Sequence, residues 1–178
     1  MGVITSRAIA SRSKHRVMPP PPLQSDLITN GDFENGTTGW TQLSGNFSVA
    51  AGEGYGSTAA CKAVNGDATS AYQGGITAVP GRKYRLSLKV KTDTIAGGTV
   101  YPALKWYTAG AVQIDWEKVC ELSGTNGWME YKTKPITMPA NAATLNVTLY
   151  APAGVTGTAW FDDVHLECIA DFLPALLY

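Results

Sequence analysis

Proton-transfer chemistry has little to work with in this chain. The histidines are His15, near the N-terminus, and His165. His165 alternates out of phase with Trp160, Val164 and Leu166, so it reads as a solvated surface residue. Glu130 with Asp115 or Glu117 is the nearest approach to a glycosidase pair. Such a pair needs a cleft and a separation of about 5–9.5 Å, and nothing in the spacing provides either. No GxSxG, HExxH or P-loop pattern occurs. The expectation is a chain with no catalytic residues.

Two other groups of side chains could act without catalysis. Asp162 shares the alternation of Trp160, Val164 and Leu166, and Glu34 and Asp32 share that of Ile28. A carboxylate turned toward a core is costly unless it is hydrogen-bonded or ligated. Each of these carboxylates is therefore expected to be paired or ligated, and backbone N–H groups at a strand end can satisfy it. Flat aromatic faces form the second group. Tyr101 and Tyr107, with Tyr150 on another strand, fall opposite to the core alternation. Tyr72 with Gln73, and Gln113 with Trp116, sit in or near loops beside them. Trp40, Trp106, Trp128 and Trp160 read as core, because large aromatics dominate packing between sheets.

The elements that must position these residues are strands. Charged residues make up 16% of the 178, with 19 Gly and 10 Pro, and no long stretch carries the spacing of an amphipathic helix. Tyr84, Leu86, Leu88 and Val90 alternate with Arg85, Ser87, Lys89 and Lys91. Leu145, Val147 and Leu149 alternate with Asn146, Thr148 and Tyr150, and Val100, Pro102, Leu104 and Trp106 with Tyr101, Ala103, Lys105 and Tyr107. Each run has one apolar face, as in two antiparallel sheets packed over a shared core. Pro102 places its strand at an edge or a bulge. Pro80-Gly81, Asn65-Gly66, Gly97-Gly98 and Asn126-Gly127 mark turns. The fold expected is an all-β, two-sheet antiparallel sandwich.

Charge is distributed unevenly although the formal net charge is zero. Arg7, Arg12, Lys14 and Arg16 precede the first acid, Asp26; fourteen basic residues less these four leave ten against fourteen acids in the body. A basic arm can meet an acidic partner, while the body lacks a basic stripe for nucleic acid. Pro19, Pro20, Pro21 and Pro22 favour a stiff polyproline II spacer. The chain thus divides into a basic, Pro-rich arm (1–26), a globular body (27–168) and an apolar tail (169–178). Phe172, Leu176, Leu177 and Tyr178 could add a last strand or dock on a neighbour. Cys61, Cys120 and Cys168 make an odd count without a CxxC pair, which predicts free, mostly buried thiols and folding in a cytosol. No stretch approaches the roughly 20 apolar residues of a membrane span.

Three segments together carry a resemblance. They are Asp26-Leu-Ile-Thr-Asn-Gly-Asp-Phe-Glu-Asn-Gly-Thr-Thr-Gly-Trp40, then Val79-Pro-Gly-Arg-Lys-Tyr-Arg-Leu-Ser-Leu-Lys-Val90, and the stretch from Trp128 through Tyr131 and Leu145–Tyr150 to Trp160-Phe-Asp-Asp-Val-His-Leu166. In order and spacing they are similar to the opening N-G-x-F-E strand, the P-G-x-x-Y turn and the closing D-D-V-x-L of carbohydrate-binding modules of the family 4, 9 and 22 type. The resemblance implies a galactose-binding-like jelly roll and a sugar ligand; the aromatics that fall outside the core alternation or near loops, Tyr101, Tyr107, Tyr150, Tyr72 and Trp116, are the candidates to stack on it, with Gln73 and Gln113 as flanking hydrogen bonders. It also implies a structural Ca²⁺ held by Glu34 and Asp162, an oxygen-only set that suits that ion. The functional expectation is a carbohydrate-binding-like component of a large assembly, a phage virion, tethered to other subunits through the arm. The alternative is an accessory polysaccharide-binding module of an extracellular glycan-degrading system.

Overall fold

The computed structural model describes residues 26–42, 46–64, 66 and 68–169. The arm, with Arg7, Arg12, Lys14, Arg16 and Pro19–Pro22, and the tail residues Phe172, Leu176, Leu177 and Tyr178 lie outside the described residues. The described residues form ten strands: β1 (Thr41–Gln42), β2 (Phe47–Ala51), β3 (Ala59–Val64), β4 (Thr69–Thr77), β5 (Lys83–Tyr107), β6 (Gln113–Lys118), β7 (Leu122–Lys132), β8 (Ile136–Thr137), β9 (Thr144–Ala151) and β10 (Thr156–Ile169). All pair antiparallel. One sheet runs β1-β4-β9-β5-β6. The other runs β2-β3-β10-β5-β7, with β8 also on β5. This is the expected jelly-roll sandwich, and among the described residues no helix is long and apolar enough to cross a membrane.

The 25-residue β5 serves both sheets. Its first half pairs with β10, and from Tyr101 onward it pairs with β9. The register against β7 slips twice between Thr92 and Val100, where the strand turns the corner. Alternation is obeyed on each side of that corner. Tyr84, Leu86, Leu88 and Val90 are buried in the first half and Leu104 and Trp106 in the second. They meet Leu145, Val147 and Leu149 of β9 and Phe161, Val164 and Leu166 of β10 in one core. Burying each such side chain is worth roughly 1.5–3 kcal/mol. Pro102 sits where the β6 ladder ends: its carbonyl accepts from Val119 N–H (2.9 Å), and no ladder donor is needed from its own nitrogen.

Two expectations are corrected. The opening segment is not a strand. Residues 27–39 form successive turns, with Asn30 and Phe33 at φ 53° and 56°. The Asn30 side chain donates to the carbonyls of Gly36 (2.9 Å) and Thr38 (3.1 Å) and accepts from Asn35 N–H (2.9 Å). Strand parity therefore does not apply to Asp32 and Glu34, and both are exposed. The segment is clamped to β10 by Leu27 N–H to Leu166 O (2.9 Å) and Val164 N–H to Gly31 O (3.0 Å). A side chain at position 31 would run into the Val164 carbonyl, which is why the motif carries glycine there.

The second correction concerns β10. A register shift between Asp162 and His165, with Asp163 at φ 48°, reverses the alternation. Phe161, Val164 and Leu166 face the core, whereas Trp160 and Asp162 lie beside Lys91 and Lys89 on the outer face. Trp160 is nonetheless buried, roofed by Lys62 and Lys91 and bonded through Nε1 to Glu53. Trp40 and Trp106 are core as expected, but Trp128 is only half-buried against Tyr55. The thiols are free, with Cys61 and Cys168 buried and Cys120 half-buried.

Candidate functional site

The outer face of the β1-β4-β9-β5-β6 sheet is built from the residues that alternate out of the core. Directly opposed residues on neighbouring strands share a face, so the register reads as rungs. One rung is Tyr150–Tyr101 with Ser70 beyond. The next runs Thr41–Tyr72–Thr148–Ala103–Lys118. Then come Asn146–Lys105–Trp116 and Thr144–Tyr107–Gln113. By the same register Asp115 and Glu117 oppose Trp106 and Leu104, so they point away from this face.

A groove follows these rungs. One lobe, of about 490 Å³, is lined by Thr41, Tyr72, Gly74, Tyr107, Thr144 and Asn146 among others. The adjoining lobe, about 320 Å³, shares Tyr72, Tyr107 and Asn146 and adds Ser70, Lys105, Thr148 and Tyr150. Gly74 makes room for Asn146: a side chain on it would sit 2.7 Å from Asn146 Oδ1, which accepts instead from Gly75 N–H (3.1 Å). At one end Tyr101 packs at 5.2 Å from Tyr150 and 5.7 Å from Trp116. Lys118 lies 4.3 Å above the Tyr101 ring and is paired with Glu121.

Burial tunes these groups. It raises the hydroxyl pKa of Tyr101 and of Tyr107, the latter opposed by a hydrogen bond from Asn146. Burial also pulls the Lys105 ammonium below its ordinary range. The groove thus combines planar rings with hydroxyls, an amide and one cation. That set can stack on the C–H faces of a ring and hydrogen-bond its edges, which are the needs of a saccharide.

Tyr101, Tyr107 and Tyr150 share this face as the alternation implied, and Tyr72, Gln113 and Trp116, expected in or near loops, join them. Tyr72 and Gln113 are on strands rather than loops, and the Tyr107 hydroxyl meets Gln113 Oε1 at 3.3 Å. Gln73 is not in the groove. It is buried on the reverse side, accepting from Thr29 N–H (2.8 Å) and donating to Thr29 O (2.9 Å). Its amide ties the opening segment to β4, on the side of the sheet away from the groove. The sequence reasoning passed over Asn146, Lys105, Thr148 and Ser70, although the alternation had already placed the first three outside the core. The imagined carboxylate pairs are separated: Glu130 is on β7 beside Lys89 (3.9 Å), in the other sheet from Asp115 and Glu117. His165 is exposed and meets Asp26 Oδ2 at 2.6 Å.

The two candidate metal carboxylates converge elsewhere, on the segment 53–59. Glu34 accepts from Thr58 N–H (2.9 Å), Ala59 N–H (2.8 Å) and the Thr58 hydroxyl. Asp162, fully buried, accepts from Tyr55 N–H (2.7 Å), Ser57 O–H (2.9 Å) and Asp163 N–H (2.8 Å). The Thr58 hydroxyl leads the bonds that hold Glu34 below its usual range, whereas burial raises Asp162 despite its three donors. Among the described residues no trio of His, Cys, Asp or Glu gathers. Each carboxylate is thus engaged by N–H and O–H donors of the corner, and both present oxygen, the donor type a hard cation takes.

Comparison with known proteins agrees with this architecture. A keratan-sulfate endo-1,4-β-galactosidase from Sphingobacterium multivorum is 29% identical over 143 residues, covering 79% of this chain but 31% of that enzyme. This chain therefore spans under a third of that relative's length. Among solved structures, a bacteriophage CBA120 tailspike protein 4 domain superposes with TM-score 0.68 at 15% identity, over 81% of this chain and 21% of that one. A family 16 carbohydrate-binding module superposes with TM-score 0.63 at 19% identity, over 79% of this chain and 99% of that one. The carbohydrate binding domain family matches residues 25–156, well over half the sequence, and the chain belongs to that family.

Proposed function

We propose that this chain is a non-catalytic glycan-binding module whose ligand lies along the groove between Tyr101 and Thr144. The observation that carries the reading is the convergence of Tyr72, Tyr107, Tyr150 and Asn146 on one open face while the opposite face of the same strands is core. Sugar rings stack on the tyrosines, and Asn146, Thr148 and Ser70 meet their hydroxyls. In the same reading Glu34 and Asp162 hold Ca²⁺, which supplies positive charge to the 53–59 corner. That charge braces the fold, since the corner is not part of the groove.

The setting follows from the segments flanking the body. The basic arm with its four-proline spacer serves as a tether to other protein subunits of a large assembly, for which a virion put together in a host cytoplasm is our reading. The free thiols support folding in such a compartment. Repeated copies would make weak sugar sites effective through avidity. A second setting, an accessory module of an extracellular glycan-degrading system, is favoured by the 29% identity to the keratan-sulfate galactosidase.

Retardation of the full chain in native gels cast with soluble polysaccharides, with Ca²⁺ or with chelator, tests the binding function. Retardation by at least one polymer is expected, and its absence from every gel would overturn the reading. Deleting residues 1–22 should abolish co-assembly with partner subunits and leave gel retardation intact. Retained co-assembly would remove the tether role.

A further inference from the structure

Lys105 has a position that stacking and hydroxyl recognition do not explain. It lies in the middle of the groove, opposite Asn146 on β9 and Trp116 on β6, with Tyr107 two residues along its own strand. Its side chain lines the lobe formed by Ser70, Tyr72, Tyr107, Asn146, Thr148 and Tyr150. It is half-buried, and no ion pair, hydrogen bond or aromatic ring engages its ammonium among the described residues. Other lysines of the body differ. Lys118 is paired with Glu121, Lys62 with Glu53, and Lys89 lies near Glu130. No carboxylate lines either lobe among the described residues. Asp115 and Glu117, the nearest acids along β6, are turned away by their register.

A desolvated cation without a counter-ion is costly to maintain, and burial already weakens its hold on its proton. A neutral polysaccharide would leave that cost uncompensated. An anionic group arriving with the ligand would remove it, with hydroxyl and amide donors around it to complete the shell. Resting on the glycan-binding reading above, the geometry points to an acidic glycan as the ligand of this groove, its carboxylate or sulfate seated on Lys105 between Asn146 and Trp116.

The test titrates the full chain with polygalacturonate as the carboxylate probe, dextran sulfate as the sulfate probe, and a neutral β-galactan. It compares the parent with Lys105→Met and Lys105→Arg, and follows thermal melting to confirm folding. The parent should bind at least one acidic polymer tenfold or more tightly than the galactan, and the stronger acidic probe identifies the anion. Lys105→Met should lose about tenfold on the acidic polymer and clearly less on the galactan; Lys105→Arg should recover most of the loss on the acidic polymer. The basic arm attracts polyanions equally in all three proteins, so the difference between variants isolates the groove. Preference of the parent for galactan, or equal losses of Lys105→Met on both polymers, would overturn the acidic-ligand inference while leaving glycan binding in place. Binding to no polymer would overturn both.

Discussion

Replacing Asp162 with Ala probes how the 53–59 segment is held. Asp162 is 0% exposed and accepts from Tyr55 N–H, Ser57 O–H and Asp163 N–H. Truncation leaves the two donors of the segment without an acceptor, at roughly 1–3 kcal/mol each. Relief of a buried charge offsets part of that cost. The net loss should be about 2–3 kcal/mol, which for a domain of this size lowers Tm by about 5–10 °C. Burial raises the folded pKa of Asp162 above its ordinary 3.8, so the folded protein holds this proton more tightly than the unfolded chain. The contribution of Asp162 is therefore largest below the unfolded value and shrinks as pH rises through the folded one. Glu34, Glu53 and Glu121 are lowered; their stabilisation is present above 4.5 and fades on acidification, but parent and variant share it. Urea unfolding of both proteins in chelator should show a gap that widens as pH falls from 7 into the carboxylate range. With millimolar Ca²⁺ at pH 7, Tm should rise in the parent and not in Asp162→Ala. A variant within about 0.5 kcal/mol of the parent in chelator, or a gap that narrows on acidification, would refute this account of the corner.

Gly31→Ala should destabilise by several kcal/mol or prevent folding, since the new methyl meets the Val164 carbonyl; expression of soluble protein with parental Tm would contradict the clamp. Gln73→Ala should cost about 1–3 kcal/mol through its two bonds to Thr29 while leaving glycan affinity within twofold, checked by urea unfolding and titration together. Thiol reagent at pH 8 should label native Cys120 slowly, because burial pushes its pKa up to about 12, and Cys61 not at all, whereas all three should react in guanidinium.

The sequence made the strands legible wherever alternation ran unbroken. Tyr84–Val90, Val100–Tyr107 and Leu145–Tyr150 point their faces as the period of two demands, and that alone assembled most of the groove. It failed where the backbone changes phase. The irregularity at Asp163 turns Trp160 and Asp162 to the outer face, a local event that no residue-type pattern announces. From the resemblance the opening motif reads as a strand, yet Asn30 folds it into turns by bonding three of its own neighbours. Gln73 looked like a ligand donor because its partner, Thr29, is 44 residues away. Lys105 was visible as an outward residue. That it has no acidic partner among the described residues emerged only when the registers of β6 and β9 were fixed.

The most direct measurement is titration calorimetry of the full chain with glycans from the retardation panel, repeated with Tyr107→Ala and Tyr101→Ala. A ring stacked on one tyrosine face removes on the order of 50 Å² of apolar surface, worth about 1.3 kcal/mol or nearly tenfold in affinity. Saturable binding that weakens by about tenfold in Tyr107→Ala, with Tm unchanged and His165→Ala behaving as parent, is the predicted result. A folded chain that binds a glycan equally well without Tyr107 and Tyr101 would contradict the groove as the binding site.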